Sequence, residues 1–260
     1  MLKKILTLLA IITVFCTGCA QKEQNVSSDL EKILERGNMI VGVKTDSYPF
    51  GYIDKNGKNA GYDIDIANLI GKEIFGQSGK VKFVPVTTSD RIMKLLSEDV
   101  DMLIATMSVN KTREQYLDFS SSYYIAGQAV LTRNISKIRS LKDLNGKKVV
   151  IIFGSTAESN LRAAVPNAKI IGYKTYNEAY NAIKTGKADA IVSDDSILLG
   201  YALKDKSVKL LPKRYTKEPY AVAFRKGHES DDLVRTVSGI INQAERTGKL
   251  KHIRHSHGLK

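Results

Sequence analysis

The 260-residue sequence predicts an α/β fold divided into two lobes. Three observations carry this. Short apolar runs of strand length alternate with segments whose apolar residues recur every three or four positions, the signature of parallel strands joined by covering helices. The alternation starts afresh near Leu141, so one chain holds two similar series. The length also suffices to bury two cores without disulfides. In such sheets ligands lie beyond the carboxyl ends of the strands, so the residues that follow each strand are the candidates for function.

Taken in order, Lys3 and Lys4 precede an apolar run over residues 5–15, too short to span a bilayer and of the form of a secretory leader. Cys16-Thr17-Gly18-Cys19 follows. The C-x-x-C spacing alone would suit a redox pair or half a zinc site, but both cysteines close the leader and no further cysteine completes a quartet. Residues 21–26 are polar and aperiodic, a flexible tether. Ser28-Asp29-Leu30-Glu31 is a capping box that opens a short helix, which Gly37 stops after Arg36. Residues 39–43 read as a strand, 63–75 as a helix, and 81–84 as a strand with Val81 and Phe83 on one face and Pro85 limiting its pairing. Residues 90–98 form a helix with Ile92, Leu95 and Leu96 inward, and 101–106 a buried strand.

The second series runs strand 148–153, helix 157–164, strand 168–173, helix 176–185 closed by Gly186, and strand 188–193. A helix from Ser196 and a short strand over 208–211 complete it. After Pro219 the chain makes one more strand, 220–224, and a final helix carrying Leu233, Val237, Ile240 and Ala244.

Forty Lys and Arg against 27 Asp and Glu leave a formal charge of +13, which in isolation would suggest nucleic acid or an anionic surface. An exported chain does not normally meet nucleic acid, and the basic residues are interspersed with acids, as in Asp29-Leu30-Glu31-Lys32. The charge fits a solvated surface, with a residual field that favours an anionic solute. Histidine is scarce: His252, His255 and His257 read as an exposed helix end, and no nucleophile–base pair, elbow glycine pattern or metal quartet is found. No catalytic residue, cofactor or metal is expected.

The stretch Gly61-Tyr62-Asp63-Ile64-Asp65-Ile66, continuing through Ile70 to Ile74, ties an acidic helix start to an apolar stripe. Ile66, Ile70 and Ile74 share a buried face, while Asp63 and Asp65 sit where unpaired N–H groups and the positive dipole end favour carboxylates. Paired carboxylates also admit a catalytic reading. Position for position, the block resembles the signature of the family 3 extracellular solute-binding proteins, the polar amino-acid receptors of ABC importers. The resemblance implies a type II, periplasmic-binding-protein-like fold with a two-strand hinge, near residues 128–134 and 215–220. It implies a signal peptide over 1–18, a lipid-anchored tether over 19–27, a first lobe over 28–129 completed by the returning segment 218–260, and a second lobe over 130–217. The residues before Cys19 resemble a lipobox, with Cys16 where leucine is usual; Cys19 would be acylated and the monomeric protein held on the extracytoplasmic face of the membrane beside its permease.

The candidate ligand residues follow strand ends. Arg113, in Asn110-Lys111-Thr112-Arg113-Glu114, offers a planar, permanently charged fork matched to a carboxylate. Its spacing from Thr106 and Ser108 resembles the family's α-carboxylate segment, which makes Arg113 the clamp and the two hydroxyl residues its accompanying donors. Gly154-Ser155-Thr156 stands where a strand turns into a helix and reads either as an ordinary cap or, by resemblance, as the second lobe's contribution to the same site. Asp194 follows its strand directly; the resemblance makes it the counter-charge of an α-ammonium, against the alternative that Asp194 or Asp195 caps the next helix. Arg91 occupies the first turn of a helix, a position a cation occupies at a cost, and resembles the distal-carboxylate Arg of acidic amino-acid receptors. Asp46 and Tyr48 match the side-chain pocket. The expected solute is therefore glutamate or aspartate; receptors for cysteine, cystine or a broad polar set resemble the same pattern, as do an enzyme of the cyclohexadienyl-dehydratase kind and a tethered ligand sensor.

Overall fold

The computed structural model describes residues 27–259; the leader, Cys16, Cys19 and all but the last residue of the tether lie outside the described residues. The first helix, α1 (Asp29–Arg36), opens on the expected capping box and ends at Gly37 in a left-handed conformation. Next come β1 (Met39–Val43), a meander of β2 (Asp46–Ser47), β3 (Gly51–Ile53) and β4 (Asn59–Ala60), and α2 (Tyr62–Phe75). β5 (Val81–Pro85), α3 (Arg91–Leu96), β6 (Met102–Leu103), β7 (Leu117–Phe119) and β8 (Tyr124–Ala126) complete the run. β1 pairs in parallel with both β5 and β6, so it is central, and Met39, Val41 and Val43 are fully buried. Ile66 and Ile70 of α2 are also fully buried, contributing about 1.5–3 kcal/mol each.

The second series begins with β9 (Gln128–Arg133) and continues through β10 (Lys148–Ile152), α4 (Ala157–Ala164), β11 (Lys169–Tyr173), α5 (Tyr176–Lys184), β12 (Ala190–Asp194), α6 (Asp195–Lys204) and β13 (Val208–Leu210). These strands form a separate five-stranded sheet in the order β11-β10-β12-β9-β13, with β9 antiparallel to its neighbours. The chain then returns through β14 (Glu218–Tyr220) and β15 (Ala223–Arg225) to α7 (Asp231–Arg246) and α8 (Lys249–Ser256). β15 inserts between β6 and β7, which closes the first sheet in the order β5-β1-β6-β15-β7 and ties the tail to the first lobe.

The two crossings meet as a small sheet of their own, β8 against β14, with Tyr124 opposite Tyr220 and Ala126 opposite Glu218. The outgoing crossing thus precedes the expected residues 128–134, most of which are strand β9 of the second sheet. Behind the crossings Phe50 meets Tyr124 and Tyr220 edge-on at 5.1 and 5.5 Å, an aromatic floor under the cleft.

Four details differ from the sequence expectation. The strand expected over 220–224 is broken after Tyr220, β14 belonging to the crossing and β15 to the first sheet. The strand expected over 101–106 is regular only at Met102–Leu103; Ile104 keeps one more bond to the Gly42 carbonyl before the chain bends through Thr106 at φ 50°. Leu96 is 42% exposed, so of Ile92, Leu95 and Leu96 only Leu95 is fully inward. In α7 the deep position is Ile241, four residues after Val237, while Ile240 packs at the edge. Among the described residues no helix is long and apolar enough to cross a membrane.

Candidate functional site

The carboxyl ends of β1, β6, β10 and β12 face one cleft, and its first wall is the bent segment after β6. Thr106 is a β-branched residue in the left-handed region, a conformation that persists only where its surroundings hold it. Its N–H donates to Asp63 Oδ2 at 2.9 Å, and its carbonyl accepts from Arg91 Nη1 at 3.1 Å. Arg91 Nη1 donates to the Ala105 carbonyl as well, while Arg91 Nε is buried without a partner. Arg113, at the start of a short 3₁₀ turn, is held by its own N–H on Asn110 Oδ1 (2.9 Å) and by Nη1 on the Ser108 carbonyl (2.6 Å). Ser108 itself is buried and bridged to Tyr220.

Arg91 and Arg113 are 2% and 5% exposed, yet among the described residues neither has a carboxylate within 4.0 Å. Carbonyl oxygens satisfy some of their N–H groups without cancelling their charge. Two such buried guanidinium groups that oppose each other's charge are costly unless an anion joins them. Burial, reinforced by the neighbouring Arg91, pushes the Arg113 guanidinium down to about 10, and burial lowers Arg91 too. The cleft is arranged to receive negative charge.

The second wall follows β10. Arg113 Nη2 reaches across to donate to the Gly154 carbonyl at 2.9 Å, so the lobes touch here. Gly154 has φ 77° and lies so near the first lobe that a Cβ would come within 2.5 Å of the Thr88 carbonyl; only glycine fits. The Ser155 hydroxyl donates to the Ile152 carbonyl, and Thr156 Oγ1 donates to Glu218 Oε2 while accepting from Gln128 Nε2. Both hydroxyls are thus engaged by the protein. Glu218, on the returning crossing strand, also accepts from Asn160 Nδ2 and so joins α4 to that strand.

Asp194 ends β12 and is 9% exposed; it accepts from the Tyr220 hydroxyl and makes no cap to α6. Nor does Asp195 cap it: its carboxylate accepts from the Gly127 N–H at 3.0 Å and pairs with Arg214 at 2.6 Å beside the crossing. Burial pushes the Asp194 carboxyl up to about 7, partly offset by the Tyr220 hydroxyl and raised further by Glu218.

Asp46 pairs with Lys44 at 2.7 Å, and Tyr48 sits at the rim with Lys204 Nζ 4.2 Å from its ring centroid. The Tyr48 carbonyl approaches Gly200 of α6 so closely that a Cβ there would lie 2.9 Å away, a second place where the lobes meet. A cavity of about 430 Å³ opens between Asp46, Tyr48, Tyr52, Tyr180 and Tyr201 at this mouth. Lys44 was not anticipated. It is 1% exposed, and burial lowers its ammonium despite Asp46. A lysine immediately after a wholly apolar strand was the available signal. Asp63 was read as a helix-start acid or one of a carboxylate pair; no side-chain cap opens α2, and its carboxylate bonds instead to Thr106 and Tyr123.

The sequence profile of the bacterial extracellular solute-binding proteins, family 3, matches residues 39–260. The chain is 35% identical over 265 aligned residues to the ABC transporter glutamine-binding protein GlnH of Bacillus subtilis, covering 97% of this chain and 96% of that protein. It is 28% identical to the glutamate/aspartate import solute-binding protein of Salmonella typhimurium, across 94% of this chain and 85% of the relative. The crystal structure of a cysteine-binding protein from Campylobacter jejuni shares the fold with a TM-score of 0.84 at 29% identity, over 88% of this chain and 92% of its own.

Proposed function

The chain belongs to family 3 of the bacterial extracellular solute-binding proteins, with their two-lobed, type II fold, and on that footing we propose that it captures a polar amino acid between its lobes and delivers it to a membrane ABC permease. The observation that carries this reading is the pair of buried guanidinium groups without carboxylate partners, facing a buried carboxylate across the cleft. Arg113 clamps the α-carboxylate with Thr106, Ser108 and the Ser155–Thr156 turn around it, and Asp194 faces the α-ammonium. Capture is reversible and makes no covalent change. The moving bodies are the chain up to the β8 crossing together with the segment from β14 onward, and the second series from β9 to β13 between them, and their closure is what a permease distinguishes. A turnover assay with prephenate or arogenate separates this from an enzyme on the same scaffold, and abolished import on deleting the gene separates a receptor from a sensor.

For the solute's side chain the reading is acidic. Lys44 is already paired with Asp46, whereas among the described residues Arg91 has no carboxylate within 4.0 Å and a buried Nε without a partner, so Arg91 is open to a solute anion. Glutamate or aspartate supplies it. Glutamine is the second reading: its amide N–H groups match Asp46, and GlnH is described as a glutamine-binding protein. Arg91→Ala is expected to weaken glutamate and aspartate at least a hundredfold and glutamine less than tenfold, read by isothermal titration calorimetry; an equal loss for all three would remove Arg91 from side-chain selection.

Anchoring belongs to Cys19, so Cys19→Ser should release the protein from the membrane fraction and abolish incorporation of labelled fatty acid, whereas Cys16→Ser should do neither. Acylation that persists in Cys19→Ser would move the anchor elsewhere.

A further inference from the structure

Asp63 is wholly buried in the first turn of α2, behind the cleft rather than in it. Its Oδ2 accepts from the Thr106 N–H and its Oδ1 from the Tyr123 hydroxyl, both at 2.9 Å. Tyr123 is fixed in turn, since the Tyr62 hydroxyl donates to its carbonyl at 2.9 Å. The Thr106 N–H and the Ala105 carbonyl belong to one peptide unit, and that carbonyl accepts from Arg91 Nη1. A carboxylate and a guanidinium therefore grip opposite ends of a single buried peptide, and each polarises it for the other. The same peptide enters a residue at φ 50°, where a β-branched side chain is disfavoured and an external restraint is required.

We propose that Asp63 is a positioning residue: through the peptide joining Ala105 to Thr106 it holds Thr106 left-handed and aims the Arg91 guanidinium into the cleft, so that side-chain selection is set from behind by α2. This rests on the amino-acid reading above. It differs from a merely structural role for a buried acid, which would lower stability and weaken all solutes alike. Asn can keep the bond from Thr106 through its amide oxygen and meet the Tyr123 oxygen with its amide nitrogen; Ala can do neither. Glycine at position 106 tolerates the left-handed region without help.

The experiment titrates the purified full chain with glutamate, aspartate and glutamine by calorimetry and follows the Thr106 amide by nuclear magnetic resonance. Asp63→Ala is expected to weaken the acidic solutes by at least thirtyfold and to cost them at least tenfold more than it costs glutamine. Because Thr106→Gly alone also removes a hydroxyl from the site, the rescue is read against that single variant: Asp63→Ala should cost the acidic solutes at least fivefold less in the Thr106→Gly background than in the unmutated one, and Asp63→Asn alone should lose less than tenfold. The Thr106 amide proton should resonate downfield and resist exchange in the unmutated protein, shift upfield in Asp63→Asn, and lose protection in Asp63→Ala. A uniform loss across solutes that tracks a falling melting temperature, with no recovery in the double variant, overturns the proposal. Should Asp63→Ala fail to fold, Asp63→Asn decides: an upfield Thr106 amide with a loss confined to acidic solutes supports it, and an unmoved amide overturns it. If the unmutated protein binds none of the three solutes, the amino-acid reading fails; the positioning claim then stands or falls on whether Asp63→Asn moves the Thr106 amide.

Discussion

Arg113→Ala is expected to lower affinity for every amino-acid solute by two to four orders of magnitude. Two hydrogen bonds to an ionised partner contribute about 1.5–3 kcal/mol each, and each 1.4 kcal/mol is tenfold in the dissociation constant. A micromolar complex totals about 8 kcal/mol, so losing 3–6 of them leaves millimolar binding or none. The substitution also removes the contact from Nη2 to the Gly154 carbonyl, one of the bonds that joins the lobes. Arg113→Lys keeps a charge but not the fork, and should recover only part of the loss. Because a ligand that binds only the native state stabilises it by about 4 kcal/mol at a thousand times its dissociation constant, the check needs only a melting experiment. Saturating solute should raise the melting temperature of the unmutated protein by several degrees and leave Arg113→Ala unmoved. A variant that still responds fully to solute would remove Arg113 from the site.

The alternation of the fold was legible because burial in this chain is strongly periodic: Met39, Val41 and Val43 mark the first sheet, and the nearly unbroken apolar run over Val149 to Ile152 marks the second. Legibility failed where elements are too short to carry a period. The meander β2–β4 and the crossings β8 and β14 are two or three residues long, so the outgoing crossing was sought in the longer strand that follows it. Arg91, Arg113 and Asp194 were singled out by their resemblance to the family's ligand segments, and all three are buried. Lys44 was missed because a lysine outside a strand reads as solvated; its burial depends on Asp46 and on the Tyr176 ring 5.9 Å away in the other lobe. Asp63 was half read. Its helix-start position is local and legible, but its Thr106 partner lies 43 residues away, a distance at which sequence pattern says nothing. Ser155 and Thr156 show the converse, since the turn was foreseen while the partners of its hydroxyls, Ile152 and Glu218, were not.

Acidification is expected to weaken solute binding through Asp194, with the affinity falling about tenfold per pH unit below about 7. The groups around this carboxyl are the Tyr220 hydroxyl that donates to it, Glu218 and Asp195, which oppose its charge, and Arg91, which favours it; burial dominates and pushes it up to about 7. Its folded value is thus above the unfolded 3.8, so the empty native state binds more protons than the unfolded chain between these values. Stability of the empty protein therefore falls as pH rises through this window. Asp63, raised by burial to about 6, adds to the same trend. An α-ammonium facing Asp194 reverses the balance, since an opposite charge returns the carboxylate to its ionised form. Below pH 7 the solute must displace a proton. Calorimetry at pH 6 in buffers of different ionisation enthalpy should show release of close to one proton per solute, shrinking toward zero at pH 8. Asp194→Asn should bind at least a hundredfold more weakly at pH 8 and release no proton at pH 6. Proton release that survives in this variant would remove Asp194 as the source of the pH dependence.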